Sequence, residues 1–361
     1  MPTFLTLQEL IQRARANLGD GAWDYLIGGA ETETTVRRNR SALDRLALRP
    51  RVLTDVSSID TRASFLGQEL RIPVILPPIG SMQVFEPGAG ASVAKAAEQF
   101  GTLSMLSSVS EPGIEVTAEA SDAPKIYQLY LMGDEAWMRE RIERSIAAGY
   151  VGFCLTVDTQ VYSRRERDIL KRHVPASGSQ IGRGDGIGQQ ARMTWDLVKL
   201  IKDDYEIPLI LKGIARVEDA ELACEHGVDV VYVSNHGGRQ LDHGLGCAEI
   251  LPEIVAAVRG RAQIVVDGGF ARGSDIVKGI AMGADAVGVG RLECWSLAAA
   301  GTDGVVRMLE ILENEIQISL ALLGVSSFAE LDASYLSPAV PVADPHVTSA
   351  FPHLTIPKIR Y

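Results

Sequence analysis

Between Ile72 and Arg291 short β-branched runs alternate with amphipathic helical stretches, and nearly every run ends in Gly, Pro, Ser or a polar cluster. A helix between two strands returns the chain to the end where it started, so the strands it joins lie parallel. The runs are Pro73–Pro77, Leu103–Leu106, Lys125–Tyr130, Gly152–Val157, Pro208–Lys212, Val228–Val233, Gln263–Val266 and Ala284–Gly288, and helical patterns such as Ala91–Phe100, Asp134–Ala148, Arg216–His226, Ala248–Arg259 and Gly273–Met282 separate them. Eight parallel strands fit either a doubly wound open sheet or a closed (β/α)8 barrel. Residues able to do chemistry follow almost every run, and only a barrel brings all of those positions to one face. The expectation is therefore an α/β fold, a single (β/α)8 barrel.

Such a barrel commonly takes about 250 residues or more as one domain, so a length of 361 does not require a second one. We divide the chain into an N-terminal cap over 1–71, with amphipathic helices and a hairpin near Val56–Leu70, a barrel over 72–325, and a C-terminal extension over 326–361. Asp303–Leu323 is expected as a long last helix, and the Pro-rich tail Ser337–Tyr361 is expected to wrap a neighbour or stay mobile. From His173 to Arg192 hardly any large apolar residue occurs, which predicts a mobile loop above the barrel mouth.

Asp and Glu number 46 against 35 Lys and Arg, a net charge of -11 that repels nucleic acid and anionic lipid. No apolar run approaches the roughly 20 residues of a spanning helix, and Met1–Gly19 lacks the core of a signal peptide. A cytoplasmic protein without membrane contact is expected. Cys154, Cys224, Cys247 and Cys294 are scattered singly, without the close pairs of a zinc or redox motif, so reduced thiols and no metal are expected.

The segment Ser234-Asn235-His236-Gly237-Gly238-Arg239-Gln240-Leu241-Asp242 starts where the sixth run ends, which directs His236 and Arg239 into the mouth of the barrel. Taken alone, His236 could be a satisfied structural histidine. Together with Trp23-Asp24-Tyr25, Gly28-Gly29-Ala30-Glu31, Pro78-Ile79-Gly80, Ser107-Ser108, Gln128-Leu129-Tyr130, Thr156-Val157-Asp158, Arg164-Arg165-Glu166, Lys212-Gly213, Asp267-Gly268-Gly269 and Gly290-Arg291, the segment resembles the FMN-dependent α-hydroxy-acid oxidases and dehydrogenases. The resemblance runs in order from Tyr25 to Arg291.

It implies a barrel that binds FMN and oxidises an (S)-2-hydroxy acid to the 2-oxo acid. Such a reaction needs a base, a carboxylate clamp and an electron acceptor near C2. The resemblance makes His236 the base and Asp158 the carboxylate that orients it, although Asp158 could instead cap a helix. Arg239 and Tyr25 would hold the substrate carboxylate, since a guanidinium fork matches two oxygens; Tyr25 could also be plain core. Arg165 resembles a second active-site arginine, with Arg164 as its rival and surface pairing open to either, and Tyr130 would lie near the substrate hydroxyl.

For FMN, Lys212 would neutralise charge on the reduced ring, and Ser107, Gln128, Thr156, Ser234 and the backbone of Ile79 and Gly80 would face its polar edge. Asp267, Gly268, Gly269, Gly290 and Arg291 would cradle the phosphate. Four positions after Asp267 the family places a phosphate-binding arginine; here Ala271 stands there and Arg272 follows, which is the candidate replacement. Val109 replaces a large aromatic of glycolate oxidase and Tyr162 an aliphatic residue, which together suggest a substrate larger than glycolate, mandelate-like or longer aliphatic. Oxygen, a quinone or a carrier protein could take the electrons, and the resemblance implies a homo-oligomer, tetramer or octamer. Asp-Gly-Gly and Gly-Arg alone would also suit a non-redox isomerase or lyase on a phosphate-binding barrel.

Overall fold

A computed structural model describes residues 4–173, 175 and 185–356. The chain opens with helices Leu7–Asn17, Asp20–Ile27 and Thr34–Asp44. Thr6 starts the first of them, accepting from the Glu9 N–H while the Glu9 carboxylate accepts from Thr6, which satisfies two free donors at once. β1 (Leu46–Leu48) follows, then a hairpin of β2 (Ala63–Phe65) and β3 (Gln68–Leu70). Both hairpin turn residues, Leu66 (φ 48°) and Gly67 (φ 72°), are left-handed, as a two-residue turn matched to strand twist requires.

The barrel strands are β4 (Val74–Ile75), β5 (Ser104–Ser107), β6 (Lys125–Leu129), β7 (Gly152–Thr156), β8 (Leu209–Ile214), β9 (Val230–Val233), β10 (Gln263–Val266) and β11 (Ala286–Gly288). All neighbours pair in parallel, in the order β4-β11-β10-β9-β8-β7-β6-β5. The ring closes through a parallel bridge of Leu76 to Ser104, in which the Leu76 N–H donates to Leu103 O (3.1 Å) and the Met105 N–H to Leu76 O (2.8 Å).

Strand side chains alternate between two packed layers. Ile75, Met105, Ile126, Cys154, Ile210, Tyr232, Val265 and Ala286 fill the barrel interior, while neighbours such as Leu76, Leu106, Tyr127, Leu155, Leu211, Val233 and Val266 pack outward against the helices. Period two then fixes the next inward position on each strand, one step toward the C-terminal face: Ser107, Gln128, Thr156, Lys212, Ser234, Asp267 and Gly288. The apolar floor thus carries a polar layer above it.

Three segments depart from the sequence expectations. The last helix occupies Gly290–Leu323 and breaks at Ala300 and Gly301 (φ 59°), so the expected Asp303–Leu323 is its second half. β12 (Leu336–Pro338) pairs antiparallel with β1, Leu46 opposite Pro338, which ties the extension to the cap. The tail then folds back over its own barrel: Phe351 is buried against Trp295, and the His353 N–H donates to the Gln8 side chain (2.7 Å). Of the expected mobile loop, residues 174 and 176–184 lie outside the described residues, whereas Asp185–Gln190 is helical. Gln190 is buried, accepting from the Leu131 N–H (2.5 Å) and donating to Thr156 O (3.0 Å) at two strand ends. Among the described residues no helix is long and apolar enough to cross a membrane.

Candidate active site

The turn after β9 takes three left-handed residues in succession, His236 (φ 58°), Gly237 (φ 63°) and Gly238 (φ 76°). At Gly238 a Cβ would sit 2.6 Å from the Val36 nitrogen, so only glycine fits. Asn235 anchors the turn through reciprocal amide bonds with Asn39 (2.8 and 2.9 Å), and the His236 N–H donates to Ser234 Oγ (3.1 Å). A left-handed histidine costs backbone energy, which the surrounding bonds hold in place.

His236 Nδ1 lies 3.0 Å from Asp158 Oδ1, and its Nε2 lies 3.1 Å from the Tyr130 hydroxyl. The Thr159 hydroxyl also donates to Asp158 Oδ1 (3.1 Å). Asp158 therefore contacts the histidine and caps no helix. Burial works to raise the Asp158 pKa, but His236, Lys212 and Thr159 outweigh it and hold the carboxyl below its ordinary value. His236 is shifted down, by burial first and by Lys212 and Arg165, against the pull of Asp158. The result is a neutral imidazole whose Nδ1–H points to Asp158, leaving the Nε2 lone pair on the cavity side. Burial and then Asp158 push the Tyr130 phenol well up, so it stays protonated.

Two arginines, Arg165 buried and Arg239 half-buried, face the same space. Arg239 donates from Nη1 to Tyr25 O (2.5 Å) and Gly28 O (3.0 Å), and its guanidinium lies 4.6 Å over the Tyr25 ring. Its Nη2 is buried without a hydrogen-bond partner among the described residues. Arg165 donates to the Tyr162 hydroxyl (2.8 Å) and Gln240 Oε1 (3.3 Å) and lies 4.3 Å over the Tyr162 ring. Arg164 is exposed and pairs with Glu166, whereas Arg165 lines the cavity. Burial and then Arg239 lower the pKa of Arg165, and neither arginine has a carboxylate partner among the described residues. Uncompensated buried cations call for an anion.

His236, Tyr130, Arg165 and Arg239 line one cavity with roughly 1240 Å³ of free space, part of it open to solvent. Pro77, Pro78 and Ile79 make an apolar wall, and Tyr25 donates its hydroxyl to Gly80 O (3.1 Å) beside it. Lys212 Nζ donates to Ser234 Oγ (3.1 Å) and lies 3.7 Å from Asp267 Oδ2, and Asp267 with Asp158 keeps it charged against burial. Gln128 donates to Thr156 Oγ1 (2.8 Å), while its Oε1 is buried and has no partner among the described residues. Ser107, Gln128, Thr156 and Ser234 are buried and do not themselves line the cavity.

At the far end Gly268 (φ 97°), Gly269 (φ 87°) and Gly290 expose backbone, and Arg291 donates to the carbonyls of Leu26 (3.2 Å), Gly237 (2.9 Å) and Gly28 (2.7 Å), with no ion pair among the described residues. Burial, then Arg239, pushes Arg291 down to about 9, still protonated at neutral pH. A flat ring with a polar edge and a phosphate fits this donor set: an apolar wall, a cationic lysine, and a glycine end with Arg291, which has no ion pair among the described residues.

Arg272 does not join it. Its Nη2 pairs with Glu315 (2.5 Å) and its Nη1 donates to Ala350 O (3.2 Å), so the side chain turns away, while Ala271 lines the cavity. Val109 and Tyr162 line the opposite end and form a small apolar cluster with Tyr130 and Met132. Sequence reasoning missed Thr159, Phe85, Asn39, Arg40 and His346, which also line the cavity. Thr159 stands next to Asp158 in sequence; Phe85 comes from the connection after β4, Asn39 and Arg40 from the cap and His346 from the tail, and these four carry no local signal.

Fold and site together define a barrel enzyme that draws electrons from an acid-bearing substrate into a bound flavin. The chain belongs to the FMN-dependent dehydrogenase family, whose sequence profile matches residues 14–338. It is 38% identical over 356 residues to an L-lactate oxidase of Nostoc sp., covering 92% of this chain and 98% of that protein. A peroxisomal (S)-2-hydroxy-acid oxidase of Oryza sativa subsp. japonica is 37% identical, covering 91% of this chain and 94% of that protein. The crystal structure of mandelate oxidase with benzoyl-formic acid superposes with a TM-score of 0.86 at 35% identity, covering 94% of this chain and all of that one.

Proposed function

We propose that the protein oxidises an (S)-2-hydroxy acid to the 2-oxo acid, with His236 as the base. The observation that carries this reading is the neutral His236, backed by Asp158 at 3.0 Å and sharing its cavity with the unpartnered Nη2 of Arg239. FMN, when bound, supplies the acceptor for the two electrons removed at C2. Arg239 and Tyr25 clamp the substrate carboxylate, with Arg165 as the second cation. The Tyr130 phenol stays protonated and donates near the substrate hydroxyl, whose proton passes to His236 Nε2. Lys212, Gln128, Thr156, Ser107, Ser234 and the Ile79–Gly80 backbone hold the ring; Asp267 to Gly269, Gly290 and Arg291 hold the phosphate end.

Val109, Tyr130 and Tyr162 line the cavity beside this centre and cluster with Met132, and the similarity to mandelate oxidase supports a mandelate-like or longer aliphatic side chain on C2. The oxidases among the relatives support oxygen as the acceptor, with a quinone or carrier protein as the other routes. We take the chain as a single FMN-binding domain that works as a cytoplasmic homotetramer. An isomerase or lyase has no use for a buried lysine, base and double-arginine clamp in one cavity, and the reading is not favoured.

Anaerobic mixing of the holoenzyme with glycolate, lactate and (S)-mandelate tests the proposal. The flavin colour should bleach, fastest with mandelate, and return quickly when air is admitted. A flavin that no 2-hydroxy acid bleaches would refute it.

A further inference from the structure

The far end of the cavity is short of positive charge for a phosphate monoester, which carries about -1.5 to -2 at neutral pH. Arg40 reaches this end, but Asp275 (2.7 Å) and Asp44 (2.8 Å) already match it, and Arg272 is matched by Glu315. Arg291, which lines this end, has no ion pair among the described residues. One further donor borders the same space, and it comes from the tail: His346, followed by Val347.

The tail is fastened so that these two residues stay put. Ala350 O accepts from Arg272 Nη1 (3.2 Å), and the Phe351 ring meets Trp295, itself part of the cavity lining, edge-on at 6.0 Å. The imidazole is oriented from within the tail. Thr348 donates its backbone N–H to His346 Nδ1 (3.3 Å), and its hydroxyl lies 2.9 Å from the same atom. With Nδ1 accepting, the neutral ring carries its proton on Nε2, the edge left free to donate.

We propose that residues 345–351 form a strap over the phosphate end of the cofactor site and that His346 is a phosphate-binding residue, supplying the donor that Ala271 and the outward-turned Arg272 do not. Arg272 then has a different task, that of anchoring the strap through Ala350. The inference rests on the FMN reading and deepens it at one end of the site.

Riboflavin, which has the same ring but no phosphate, separates a phosphate contact from general packing. Apoprotein titrated with FMN and with riboflavin, followed by quenching of flavin fluorescence, reads both affinities without turnover. His346→Ala should weaken FMN about tenfold, the worth of a hydrogen bond to a charged group, and leave riboflavin within about twofold. His346→Gln, which keeps an N–H donor, should hold FMN within about threefold of the parent, and Ala271→Arg added to His346→Ala should restore it. Melting of each apoprotein verifies its fold. Unchanged FMN affinity in His346→Ala, or equal losses for FMN and riboflavin, would overturn the strap's phosphate role. A parent protein that binds neither flavin would instead strike the cofactor reading itself.

Discussion

Replacing Asp158 by Asn keeps the shape of the side chain and removes its charge, which isolates what the carboxylate does for His236. The contact is 3.0 Å long and both partners are half-buried. A hydrogen bond to a charged group is worth about 1.5–3 kcal/mol, and two unit charges at that distance interact by about 5.5 kcal/mol at an effective dielectric constant of about 20, which sets a ceiling. Each 1.36 kcal/mol is tenfold in rate, so the loss falls between about 10-fold and 10⁴-fold. The Asn amide can also donate to Nδ1, which would move the imidazole proton to Nε2 and block the base, so we expect about 10²- to 10³-fold slower bleaching of the flavin by (S)-mandelate in anaerobic stopped flow. FMN content should not change, because Asp158 does not line the cavity. Bleaching within about threefold of the parent rate would refute the claim that Asp158 sets the state of His236.

Arg239→Lys should raise KM or lower kcat/KM about 10- to 100-fold in steady-state assays, since one ammonium cannot hold Tyr25 O and Gly28 O and also present a free donor to the substrate. Val109→Trp should cut kcat/KM for mandelate about 5- to 100-fold more than for glycolate, because filling the cavity there costs about 1–3 kcal/mol only to an acid that uses it; equal losses would show that Val109 does not set side-chain size. Because burial, Lys212 and Arg165 shift His236 below the ordinary imidazole value of 6.5, the rate of flavin reduction should rise with pH as His236 loses its proton and level off before neutrality. A midpoint above about 7 would contradict that sign.

The barrel was legible because its strands and helices carry their own short-range patterns and because inward positions recur every second residue. The same period that buries Ile210 and Val265 sends Lys212 and Asp267 to the polar layer, so strand-end chemistry could be read from the chain. Illegible features depend on partners far away in sequence. Closure needs Leu76 beside Ser104, and β1 finds β12 across nearly the whole chain. Arg272 is drawn outward by Glu315, a residue on the last helix that no local pattern links to it. The tail has no periodicity because it packs through a few anchors, Phe351 and the Ala350 carbonyl among them, and not through a continuous face. Gln190 likewise gave no sign that it would plug two strand ends.

The central claim is that a 2-hydroxy acid is oxidised in this cavity with His236 as its base. It is tested most directly by anaerobic single-turnover reduction of parent and His236→Ala holoenzymes by (S)-mandelate. Loss of a general base costs about 10²-fold or more, so the variant should keep its FMN and its colour long after the parent has bleached. A variant that bleaches as fast as the parent, or a parent that does not bleach at all, would contradict the account.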